Sequence, residues 1–157
     1  MSKREIHKNG LIAIAVLVIV FGMPPFYEWI PRNFGADDPV GFLLNQLTWP
    51  KYRFTPSGDW LGFIALLIRA ALVIFVTYLI LASSKGGVKS KGVAFIVGWV
   101  AVILGAAAAA FISSFIGDNG VTFSQLANRG LAAFQAGGSY GLFVGWIVGI
   151  ACSRSKV

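Results

Sequence analysis

The catalytic repertoire open to this chain is bounded by one histidine and one cysteine among 157 residues. His7 lies in a basic N-terminal tail and Cys152 close to the C-terminus. No nucleophile therefore has a histidine base beside it in an apolar interior. A haem held by two histidines of this chain is excluded, and a Cys/His zinc site lacks ligands. No Walker loop occurs; Gly137-Gly138-Ser139 stands inside an apolar run and is not a phosphate loop. Asp37 and Asp38 are adjacent carboxylates, but calcium requires six or more oxygens. A capping role explains Asp38, because Pro39 follows it and suits the first position of a helix. No catalytic residues, metal ligands or cofactor are expected in this chain, and bound lipid is the ligand class its composition leaves open.

The most informative single residue is Arg69, the one charge inside a long apolar run from Trp60 to Ala82. Counted along that run it falls near the middle, where an unpaired arginine costs on the order of 3 kcal/mol on insertion scales. Two solutions stay open. The arginine meets groups of its own chain, or it meets a carboxylate or lipid phosphate from outside.

The sharpest pattern is a ladder of small residues. Ala133, Gly137, Gly141, Gly145 and Gly149 recur every four positions, and a weaker copy runs through Ala101, Gly105, Ala109 and Ser113. Lipid tails give helices no hydrophobic drive to associate, so close backbone approach through small residues supplies the packing. The ladders either pack on each other within the chain or form docking faces for helices of a partner. Trp99 and Trp146 lie about 10–12 Å in from the ends of their runs. They are read as filling the groove that glycine leaves, with a bound lipid or quinone as the alternative.

The elements that must position these residues follow from composition. The chain is 57% hydrophobic and only 12% charged, whereas a soluble domain carries about 25% charged residues. Apolar runs of about 20 residues match the thickness of a bilayer core. Four are expected, at about 10–30, 60–82, 92–116 and 130–152, making an all-α four-helix membrane bundle in a single domain. Pro24 and Pro25 should kink or break the first. That first run follows Lys3, Arg4 and Lys8 with no small-residue cleavage pattern after it, so it reads as a retained signal anchor.

Orientation comes from the cations. The N-terminal tail, the inner loop 83–91 and the C-terminal tail hold Lys3, Arg4, Lys8, Lys85, Lys89, Lys91, Arg154 and Lys156, against the single acid Glu5. On the other side, the outer loops 31–59 and 117–129 and the adjoining end of the first span balance Arg32, Lys51, Arg53 and Arg129 with Glu28, Asp37, Asp38, Asp59 and Asp118. Both termini are thereby expected on the cytoplasmic side. The net charge of +7 follows from this topology and does not call for nucleic acid. In the first outer loop, Val40, Phe42, Leu43, Leu44 and Leu47 should form a short apolar helix on the outer surface or against a partner. Tyr27, Trp29, Trp49, Tyr52 and Trp60 are expected as interfacial anchors. Thr122-Phe123-Ser124-Gln125 has the form of a capping box opening the last helix.

Small size, absent chemistry, small-residue faces and a deep arginine suggest a non-catalytic accessory or assembly subunit of a multiprotein membrane complex. A bacterial respiratory chain in the cytoplasmic (inner) membrane is one setting, since no N-glycosylation sequon occurs. Other integral membrane subunits and membrane lipids would be its partners. The alternative is a small oligomeric transporter or channel with Arg69 lining an anion path and Gly137-Gly138 breaking the last helix.

Overall fold

The structure is a computed structural model that describes residues 6–35, 37–54, 60–84, 88, 90–116 and 123–155. Thr122, and with it the expected capping box, lies outside the described residues, as do Lys3, Arg4, Lys85, Lys89, Asp59, Asp118 and Lys156. Among the described residues every regular element is helical. α1 covers Ile6–Val16 and continues as a wider π-turn over Leu17–Phe21; α2 covers Pro24–Asn33, α3 Pro39–Leu47, α4 Trp60–Ser83, α5 Lys91–Ser113 and α6 Phe123–Ser153.

α4, α5 and α6 are long and apolar enough to cross a membrane. The first expected span is not one straight helix. His7–Phe21 and Pro24–Asn33 meet at 61°, so a fourth span exists only if this bent pair counts as one. The prolines give the reason: Pro24 opens α2 with Met23 in an extended conformation, because proline fits a first helical turn and disrupts an interior. α6 begins at Phe123, where the Thr122-Phe123-Ser124-Gln125 pattern placed the opening of the last helix, and runs unbroken through Gly137 and Gly138.

α5 is the central helix, antiparallel to α4 on one side and α6 on the other, with α1 against α4 and α6. The run Ala106–Ala110 explains the position. Ala106, Ala107, Ala109 and Ala110 are all buried, and side chains this small let neighbours approach from two sides. The core is completed by Ile14, Leu17, Val18, Val73, Leu81, Val102, Tyr140, Val144, Val148 and Cys152.

The segment between α1 and α4 packs on the bundle itself. α3 forms as its residues dictate: the Val40 amide donates to Asp38 Oδ1 at 2.8 Å, and Pro39 takes the first position. Its Leu44 and Leu47 line a groove with Val144 and Ile147 of α6. α2 and α3 thus make a helical hairpin folded back against the bundle, because the 61° bend after Phe21 turns the chain sideways.

Candidate functional site

The glycine ladder of α6 rests on the backbone of α5. A Cβ placed on Gly149 would stand 2.8 Å from the Phe95 carbonyl oxygen, and one on Gly145 2.9 Å from that of Trp99. A Cβ on Gly141 would stand 2.7 Å from the Ile103 nitrogen, and one on Gly137 would run into the Ala106 carbonyl. Carbon atoms in ordinary contact are about 3.5–4.0 Å apart, so no side chain fits at these four positions. Ala133, at the far end of the ladder, is half-buried. Trp99 fills the groove at Gly145, and its indole Nε1 donates to the Leu142 carbonyl at 3.1 Å. Trp146 faces outward, 47% exposed, beside α3.

The weaker ladder of α5 faces the other neighbour. A Cβ on Gly105 would meet the backbone of Thr77 in α4. Thr77 Oγ1 reaches the Ala101 carbonyl at 3.4 Å. Ala109 is fully buried, and Ser113 belongs to the contact with Arg69. The two ladders therefore do not lie against each other. The one on α6 holds α5, the one on α5 holds α4, and neither is an open face for a partner helix. Gly98 and Gly10 carry the same function unannounced by any four-residue repeat. Both abut Cys152, whose Sγ would lie 2.9 Å from a Cβ on Gly98 and 2.8 Å from one on Gly10. The Asn9 amide donating to Ser155 Oγ at 3.0 Å joins the same end of α1 to the end of α6.

Arg69 finds a partner inside the chain: its Nε donates to Ser113 Oγ at 2.7 Å, and Ser113 in turn donates to the Ala110 carbonyl at 3.0 Å. Its level in the bundle is set by the pairing of α4 with α5. Ser113 is the last residue of α5, about 33 Å along the helix from Lys91 at 1.5 Å per residue. That length already matches a hydrocarbon core of about 30 Å. Counting along α4 alone places Arg69 in the middle, whereas the stagger of α4 against α5 sets it level with the end of α5. Side chains on a helix lean toward its N-terminus, which carries the guanidinium further the same way.

The aromatic residues divide. Trp29 and Trp60 are open, 44% and 63% exposed, as interfacial residues would be. Trp49 and Tyr52 turn inward instead. Trp49 packs on Tyr140 with ring centroids 5.0 Å apart, and Tyr52 is buried. The cause is a clamp that sequence reasoning did not anticipate. The Tyr52 amide donates to the Gly22 carbonyl at 3.1 Å, its hydroxyl donates to the Ile19 carbonyl, and the Pro50 carbonyl lies where any Cβ on Gly22 would fall. The π-turn over Leu17–Phe21 departs from regular α-helical bonding, and the Tyr52 hydroxyl takes up one of its carbonyls. Burial pushes the Tyr52 phenol above its ordinary range. Tyr27 is half-buried, with Lys51 Nζ 5.5 Å from its ring centre.

Among the described residues no group of three His, Cys, Asp or Glu side chains could hold a metal ion. The chain matches no known family model, no curated protein and no solved structure. The continuous α6 supplies no discontinuous helix of the kind the transporter reading drew on.

Proposed function

We propose that this chain is an integral protein of the bacterial cytoplasmic membrane with both termini on the cytoplasmic side, acting as a non-catalytic accessory or assembly subunit of a larger membrane complex. The observation that carries the reading is how the interior is used. Glycine faces meet backbone, Arg69 meets Ser113, and Thr77 reaches toward a carbonyl. These contacts do structural work, and none presents a reactive group to a substrate. The outer surface is apolar instead: Ile64, Leu67, Phe75 and Leu79 on α4, and Val40, Phe42 and Leu43 on α3, are each at least 40% exposed. Because the small-residue ladders are occupied within the chain, docking through them is replaced by docking through these bulky faces, packed against partner helices and lipid.

The test is purification in mild detergent from cells expressing the protein at its native level, followed by mass spectrometry. Partners at fixed stoichiometry are expected. A homo-oligomer that moves anions in liposomes, and stops with Arg69→Ala, would replace this reading with transport. Orientation is checked separately with terminal tags: neither should react with a membrane-impermeant reagent in intact cells.

A further inference from the structure

We propose that the α2–α3 hairpin is a binding site for one anionic membrane phospholipid, with the phosphate over Lys51 and the glycerol and upper acyl chain in the groove between the two helices. The groove is about 510 Å³, walled by Tyr27, Ile30 and Phe34 on one side and Phe42 and Asn45 on the other, with Lys51 among its lining. A cavity of that size suits a lipid-sized ligand. Where α2 meets α3 the helices close tightly, since a Cβ on Gly41 would stand 2.7 Å from that of Phe34.

Among the described residues the ammonium is positioned without being neutralised. Lys51 Nζ sits over the Tyr27 ring at 5.5 Å and donates to Asn45 Oδ1 at 3.4 Å. An aromatic face and an amide oxygen orient a cation but carry no net charge. The neighbouring carboxylates have other tasks: Glu28 lies 3.6 Å from Arg32, and Asp38 caps α3. Asp37 is exposed at the hairpin turn. Nor is Lys51 on a loose loop. Pro50 before it and Tyr52 after it are both buried, and Tyr52 is clamped to the α1 segment through Gly22 and Ile19. A fixed ammonium beside aromatic and aliphatic walls complements a ligand that is anionic at one end and greasy at the other. On the opposite side of α3 a second groove of about 320 Å³, lined by Leu43, Leu44, Phe143 and Trp146 among others, offers an apolar surface for a further acyl chain.

The proposal rests on the membrane reading and not on the subunit reading; carbonate washing, which should leave the chain in the membrane, checks the former independently. The full chain, delipidated in a neutral detergent, is titrated with an equimolar mixture of phosphatidylglycerol and phosphatidylcholine and examined by native mass spectrometry. One lysine near a membrane surface supports a preference of about fivefold for the anionic lipid. The wild type should show that preference, Lys51→Arg should keep it, and Lys51→Gln should bring it close to one at unchanged melting temperature. Equal uptake of the two lipids by the wild type, or a preference that survives Lys51→Gln, overturns the proposal. Loss of phosphatidylglycerol on adding glycerol phosphate in tenfold excess overturns it as well, because the site would then take phosphate and not lipid.

Discussion

Gly138 and Gly141 stand one turn apart on α6, and the structure assigns them opposite responses to the same substitution. Alanine at Gly138 would place its methyl 4.0 Å from the nearest atom, the Cβ of Ala107, an ordinary van der Waals contact. Alanine at Gly141 would place it 2.7 Å from the Ile103 nitrogen and 2.9 Å from the Val102 carbonyl oxygen. Both neighbours there are backbone, so no side-chain rotation relieves the overlap, and the helices must part by about 1 Å to restore contacts of about 3.5–4.0 Å. Both substitutions gain the same helix propensity, about 1 kcal/mol relative to glycine. The difference between the two variants therefore isolates the overpacking cost, about 1–3 kcal/mol. Thermal unfolding in mild detergent, followed by tryptophan fluorescence with far-ultraviolet circular dichroism to confirm intact helices, reads this directly. Gly138→Ala should melt at or above the wild type, and Gly141→Ala at least about 3 °C below Gly138→Ala. Equal melting temperatures, or the reverse order, would refute the claim that α6 lies backbone to backbone on α5.

Three further perturbations probe the polar contacts. Ser113→Ala removes the acceptor of Arg69 Nε and should cost about 1–3 kcal/mol; in a double-mutant cycle with Arg69→Leu the losses should be less than additive, and full additivity would mean that the pair does not interact. Among the described residues the buried Tyr140 hydroxyl has no hydrogen-bond partner, so Tyr140→Phe should leave the melting temperature unchanged or raise it, and a loss above about 1 kcal/mol would show that the hydroxyl is bonded. Tyr52→Phe deprives the Ile19 carbonyl of its donor and should destabilise by about 1 kcal/mol; limited proteolysis should then cut the α2–α3 hairpin faster, and unchanged cleavage would count against the clamp.

Helix identity was legible in the residues because it depends on local composition. The apolar runs that become α4, α5 and α6 need no partner to be recognised, since their length and lack of charge already satisfy the requirement for a membrane-crossing helix. The break at Pro24 and the Asp38-Pro39 start of α3 are equally local, each set by a missing donor or an available cap. The four-residue spacing of Gly137, Gly141, Gly145 and Gly149 also announced a close helix contact. A small residue states that something approaches, but it carries no mark of what does.

That second question was decided by the tertiary structure alone. Only the packing shows that Gly105 receives Thr77 while Gly141 receives Ile103, which makes α5 the middle helix and leaves neither ladder open. Only the stagger of α4 on α5 brings Arg69 to Ser113, because relative depth belongs to a pair of helices and not to either one. The inward turn of Trp49 and Tyr52 depends on a carbonyl in the π-turn of α1, about thirty positions earlier in the chain. Composition and period determined that this chain is a set of apolar helices. Which faces they use up on one another, and hence which remain for lipid or partner, is a property of contacts between residues distant in sequence, and no local pattern encodes it.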